Sequence, residues 1–141
     1  MEHYTHTVQY YEKDRMGITH HSNYIRWMEE ARIDFLRRIG WDYDRLERLG
    51  IFSPVTAVEC SYKAPTTFPE AVEIAVSVAE FRGVRLRLRY VMRRPTGETV
   101  CEGASEHCFT DREGKILRLR REHPELHRVL TELAESPGEV G

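Results

Sequence analysis

The chain has 141 residues, 40% of them apolar and 31% charged, which is the balance of a globular domain rather than a disordered tail. A domain of this length buries roughly 68–70% of the surface its unfolded chain exposes, enough for a sizeable core. Lysine and arginine total 21 against 23 acids, a net charge of -2 that argues against a surface coated for nucleic acid.

No apolar run approaches the roughly 18 residues a membrane helix needs. The start, Met1-Glu2-His3-Tyr4, lacks the apolar stretch of a signal peptide, so the cytoplasm is the expected location. Residues 5–11 read as an opening strand, and 12–17 as a turn that contains Gly17. From residue 22 the period becomes helical: Tyr24, Trp27, Met28, Ala31, Phe35 and Ile39 form one apolar stripe, most simply a core face. Ser22 or Asn23 is the expected N-cap and Gly40 the stop. A short helical turn is expected over 42–49, ended by Gly50.

After that the period is two. Residues 51–64 are strand-like. In 71–81, Val72, Ile74, Val76 and Val78 line one face and Glu73, Ala75 and Ser77 the other. Leu86, Leu88 and Tyr90 alternate with Arg85, Arg87 and Arg89, and strands are expected over 99–110 and 115–119. Leu126, Val129, Leu130 and Leu133 recur at helical spacing in the tail. The expected architecture is α+β, an antiparallel sheet of about five or six strands wrapped around one long helix, with residues 1–135 as one domain and 136–141 as a flexible tail. Such a single layer leaves sheet edges to cover, which favours oligomers.

Cys60, Cys101 and Cys108 form no CxxC pair and lie in apolar or alternating segments, so reduced thiols are expected. His107 and Cys108 are adjacent on a strand and point to opposite faces, which disqualifies them as a base–nucleophile pair. Neither His3 with His6 nor His20 with His21 has the i, i+4 spacing of a helical metal site, and no metal is expected. His107, His123 and His127 read as surface or sheet residues.

The chemistry concentrates in residues 14–24, DRMGITHHSNY: an acid after a strand, a glycine, and two histidines before a helix N-terminus. Such an end offers unpaired N–H groups and a positive dipole, so a carboxylate, a proton donor and an oxyanion site fall within one short segment. The plainer reading makes Asp14 and Gly17 turn formers and His20 and His21 solvated capping residues.

Residues 10–24, YYEKDRMGITHHSNY, continuing through Arg26-Trp27-Met28-Glu29-Glu30-Ala31-Arg32, resemble the hot-dog-fold acyl-CoA thioesterases, in particular the 4-hydroxybenzoyl-CoA thioesterase type with its Tol–Pal-associated members. Asp14, Gly17, His21 and Tyr24 match the motif's Asp, Gly, His and Tyr, and Tyr62-Lys63-Ala64-Pro65 is a second likeness. Lys13 stands where many relatives carry Thr or Ser, and Thr19 where a hydrophobic residue is frequent.

The resemblance implies hydrolysis of an acyl-CoA thioester to a free acid and coenzyme A, with no cofactor beyond the coenzyme A of the substrate. Asp14 would be nucleophile or general base, and helix N-terminal amides near His21 the oxyanion site. His21, with His20 as its competitor, would orient substrate or water or protonate the leaving thiolate. Gly17, Tyr24, Trp27 and Met28 would contact substrate, Tyr24 chiefly as a pocket wall. A homo-oligomer is implied, a dimer of hot-dog subunits or a tetramer, with coenzyme A bound at a subunit interface. Arg82, Arg85, Arg87, Arg89, Arg93 and Arg94, then Arg118, Arg120 and Arg121, form either a solvated or subunit-facing sheet surface or a site for coenzyme A phosphates. The alternatives are an acyl-CoA-binding regulator and an acyl-thioester dehydratase.

Overall fold

Period-two hydrophobicity builds one antiparallel sheet in the computed structural model, which describes residues 3–135. Its strands are β1 (Tyr4–Thr7), β2 (Val55–Tyr62), β3 (Ala71–Phe81), β4 (Arg85–Arg93) and β5 (Thr99–Cys108), in the order β1-β3-β4-β5-β2. Register pairs Val76 with Tyr90, Tyr90 with Gly103 and Gly103 with Cys60, which sets one inner face. The sequence expectation of residues 115–119 as a further strand fails. Asp111 Oδ1 accepts the N–H groups of Glu113 and Lys115, only an isolated bridge joins Ile116 to Thr110, and the chain then enters a helix.

The helices are α1 (Ser22–Arg38), α2 (Tyr43–Arg48), α3 (Leu119–Glu122) and α4 (Pro124–Glu135). The stripe on α1 packs onto the inner face: Trp27 and Ala31 are fully buried, Met28 and Phe35 nearly so. Each large apolar side chain so buried contributes roughly 1.5–3 kcal/mol. Leu126 and Leu130 of α4 join the same core. Asp42 caps α2 by accepting from the Arg45 N–H at 2.9 Å.

Two further expectations are corrected. The opening strand stops at Thr7, because Glu12 Oε1 reaches back to the Gln9 N–H at 2.7 Å and winds Tyr10–Glu12 into a 3-10 turn. Ser22 is the first residue of α1 rather than its cap; His21 occupies the cap position, and the His20 ring supplies the capping acceptor. The tail expected over 136–141 lies outside the described residues.

On the outer face, Arg87 pairs with Glu59 and Glu106, and Arg89 with Glu102. Arg87 and Arg89 of β4 are thus answered by acids of β2 and β5. β2 itself is an open edge, with Val55, Val58 and Tyr62 all exposed.

Candidate active site

Residues 13–19 fold into a miniature hairpin between β1 and α1. A bridge joins Lys13 to Thr19, the Asp14 N–H donates to the Ile18 carbonyl at 2.7 Å, and the Gly17 N–H to the Asp14 carbonyl at 3.0 Å. Gly17 has φ of 83°, a left-handed conformation that the closing residue of such a turn requires. A Cβ there would meet nothing within 4 Å, so backbone angle rather than crowding explains the glycine. Asp14 Oδ1 accepts from the Met16 N–H at 2.8 Å and the Ile18 N–H at 3.4 Å. Its Oδ2 has no hydrogen bond among the described residues. The plain reading of Asp14 as a turn former therefore accounts for one carboxylate oxygen and leaves the other over.

The hairpin leads directly into α1, whose first amides are mostly occupied. The Ser22 N–H donates to His20 Nδ1 at 3.2 Å, Asn23 to the His20 carbonyl at 3.0 Å, and Tyr24 to the His21 carbonyl at 3.2 Å. The His21 N–H alone in this group has no acceptor among the described residues, so the expected cluster of oxyanion donors narrows to one preformed amide. The two histidines also separate. His20 Nδ1 is tied to Ser22, whereas the exposed His21 ring stacks on His20 at 4.5 Å and meets the edge of Tyr62 at 6.1 Å, with neither nitrogen hydrogen-bonded among the described residues. Tyr62 reaches the His21 carbonyl with its hydroxyl at 3.4 Å. Burial, then the neighbouring Cys60 thiol, pushes the Tyr62 phenol up to about 12, so it keeps the proton it donates.

Tyr24 is buried, its ring 4.7 Å from Trp27 and its hydroxyl 3.0 Å from Thr66 Oγ1. Burial raises its pKa, which leaves the phenol protonated. Trp27 and Met28, expected against substrate, are buried by this chain's own core at 0% and 1% exposure. Trp27 donates its indole N–H to Glu12 Oε2 at 2.8 Å. Glu12, absent from the residues singled out by sequence, is a buried hub: it also accepts from the Gln9 N–H and contacts His6 Nε2 at 2.9 Å. Burial alone would raise its pKa; the bonds from Gln9, His6 and Trp27 outweigh that and hold it below the usual value. The Gln9-x-x-Glu12 capping spacing was the one local signal for it.

Among the described residues, no group of three or more His, Cys, Asp or Glu side chains is arranged to hold a metal ion. The arginines divide in two. Arg94 binds Glu70, Glu98 and the Pro65 carbonyl, and Arg87 and Arg89 are paired as above. Arg82, Arg118, Arg120 and Arg121 instead line a cleft of about 490 Å³ with His127, between the β3–β4 turn and α3–α4. Arg82 there pairs with Glu80. The guanidinium groups of Arg118, Arg120 and Arg121 have no acid partner among the described residues.

Residues 8–140 match the model of the thioesterase-like superfamily. The chain is 32% identical over 121 residues to "Putative acyl-CoA thioesterase YneP" of Bacillus subtilis, covering 85% of this chain and 88% of that one. It superimposes on the DHNA-CoA thioesterase of Staphylococcus aureus with a TM-score of 0.89 and 30% identity, over 94% of this chain and 90% of that chain. The hypothetical protein TT1821 of Thermus thermophilus gives 0.85 and 34%, over 94% and 99%.

Proposed function

The chain belongs to the thioesterase-like superfamily, hydrolases with the hot-dog fold, and from that premise we propose that it hydrolyses acyl-CoA thioesters with Asp14 at the reacting carbon. The observation that carries this reading is the divided carboxylate: among the described residues one oxygen is spent on the turn and the other has no partner, on a hairpin that runs into a helix start with one amide left without an acceptor. The His21 N–H is the donor for the oxyanion; removing one such donor elsewhere costs on the order of 100- to 1,000-fold in rate. Asp14 Oδ2 either attacks the carbonyl carbon, expelling coenzyme A thiolate and leaving a mixed anhydride for water to open, or takes a proton from the attacking water. The His21 ring, with neither nitrogen hydrogen-bonded among the described residues, takes the role of proton donor to the departing sulfur. The Asp–Gly–His–Tyr spacing favours the 4-hydroxybenzoyl-CoA thioesterase type, Tol–Pal-associated members included.

The coenzyme A phosphates are assigned to the arginine cleft. β3 runs from Ala71, beside the site, to Phe81, beside the cleft, a separation of about 30 Å at ~3.3 Å per residue. One chain does not bring its two ends together, and a second copy does. Antiparallel pairing of two open β2 edges sets Tyr62 of each beside the other's Val55 end, which is the end carrying the β3–β4 turn and the cleft. We therefore propose a dimer as the catalytic unit, with tetramers built from it.

The test is thiol release from short, long and aromatic acyl-CoAs by wild type and Asp14→Asn. The expected outcome is wild-type turnover that falls on the order of 100- to 10,000-fold in the folded variant. Equal rates in both would remove Asp14 from the chemistry, and tight acyl-CoA binding without release would make the protein a binder. Single turnover in ¹⁸O-water tests the nucleophile role: label entering Asp14 marks an anhydride opened at the Asp14 carbon, and label only in the product marks water attack at the acyl carbon.

A further inference from the structure

We infer that Thr66 and Thr67, on the loop between β2 and β3, are positioning residues for the Asp14 reaction, an inference that rests on the thioesterase reading above. They are far from the hairpin in sequence, and both hold it. The Thr66 carbonyl accepts from the Thr19 N–H at 2.8 Å and the Thr19 hydroxyl at 3.1 Å. Thr66 Oγ1 lies 2.6 Å from Thr19 Oγ1 and 3.0 Å from the Tyr24 hydroxyl. Thr67 Oγ1 donates to the Gly17 carbonyl at 2.7 Å.

Proton counting orders this cluster. Three buried hydroxyls carry three protons for three contacts, and a single arrangement satisfies all of them. Thr19 donates to the Thr66 carbonyl, so Thr66 donates to Thr19, and Tyr24 donates to Thr66. Thr66 is 1% exposed, so water does not stand in for a lost partner. Its hydroxyl therefore joins the first turn of α1, through Tyr24, to the returning arm of the hairpin, through Thr19. Thr67 suspends the turn glycine from the same loop. The loop is itself anchored: the Thr67 N–H donates to Glu70 Oε1 at 2.9 Å, and Arg94 holds Glu70 Oε2 at 2.8 Å.

The spacing so fixed is that between the hairpin and the helix start. Asp14 rides on the hairpin and the His21 N–H on the helix start, yet both must address one thioester carbonyl. A misplacement of about 1 Å in such a pair costs on the order of 100-fold in rate. Neither threonine touches substrate in this assignment; they act through the pieces they join.

Thr66→Val and Thr67→Val keep shape and remove the hydroxyl, and Thr66→Ser and Thr67→Ser keep the hydroxyl. Two readouts are needed: steady-state kinetics on the acyl-CoA panel, and amide hydrogen exchange at Ile18 and Thr19. The valine variants should lose on the order of ten- to hundred-fold in kcat with KM unchanged and exchange faster at those amides, and the serine variants should restore both. Wild-type kcat in the valine variants, or a loss that serine does not restore, overturns the inference. Unchanged exchange in Thr66→Val overturns the clamp whatever the activity. Absence of turnover by wild type would instead sink the thioesterase reading, and exchange would still judge the clamp.

Discussion

The Asp14 carboxylate serves the turn with one oxygen and offers the other, and two substitutions separate these uses. Asn retains an acceptor for the Met16 N–H, while Ala removes it. Both should cut turnover by on the order of 100- to 10,000-fold, but only Asp14→Ala should lower unfolding free energy, by about 1 kcal/mol, in denaturant titrations. A buried residue away from the site controls stability differently. The sequence reading placed His107 among surface or sheet residues; it is on the sheet and fully buried, with Ser105 Oγ 2.8 Å from Nε2 and the Ser53 carbonyl 3.4 Å from Nδ1. Burial, then the charge of Arg32, pushes its pKa down from 6.5 to about 4, against the opposing bond to Ser53. The unfolded chain therefore binds a proton that the folded chain refuses. Stability from this group is complete above about pH 6.5 and falls as pH drops towards 4, by up to about 3 kcal/mol. Denaturant titrations of His107→Gln across that window should show a flatter pH dependence than wild type; parallel curves would mean that His107 does not titrate as its surroundings dictate.

At the scale of elements, close approach between helix and sheet depends on Gly103. A Cβ there would lie 2.9 Å from the Glu59 carbonyl oxygen of the next strand and 3.2 Å from Met28 Sδ of α1. Met28 can swing aside, but the carbonyl cannot without shifting the β2–β5 pairing. Gly103→Ala should therefore destabilise by about 1–3 kcal/mol, read as a lowered Tm, and Met28→Ala should relieve only the part owed to the sulfur. The same contact explains what was legible beforehand. Trp27, Met28, Ala31 and Phe35 announce α1 because their period is local, and β3 and β4 announce themselves by alternation. Nothing local says that residue 103 must be glycine, that Glu12 lies under Trp27, or that Thr66 meets Thr19, because those partners are brought together only by folding. Residues 115–119 had the composition of a strand but make only the single bridge of Ile116 to Thr110 before the chain enters α3. Within the site, Asp14, Gly17 and His21 were visible as a motif; the loop that holds them was not.

At the scale of the molecule, the candidate site and the arginines without an acid partner among the described residues lie at opposite ends of the sheet, and the proposed pairing of β2 edges would bring a neighbour's cleft to this chain's Asp14. That geometry makes a subunit-mixing prediction. A variant with Arg118, Arg120 and Arg121 changed to Ala should retain Asp14 chemistry but bind acyl-CoA weakly, with a raised KM that salt no longer increases steeply. Asp14→Asn should bind normally and turn over poorly. Each is defective in every site of its own dimer. In a mixed dimer, one site combines the intact Asp14 of the arginine variant with the intact cleft of the Asp14→Asn chain, and the other site collects both defects. After subunit exchange at equal concentrations, about half the dimers are mixed, so activity at substrate below the wild-type KM should recover to about one quarter of wild type. Were each chain to serve its own site, mixing would restore nothing, because no site would ever combine the two intact halves. The recovered fraction therefore reports which chain supplies the phosphate contacts.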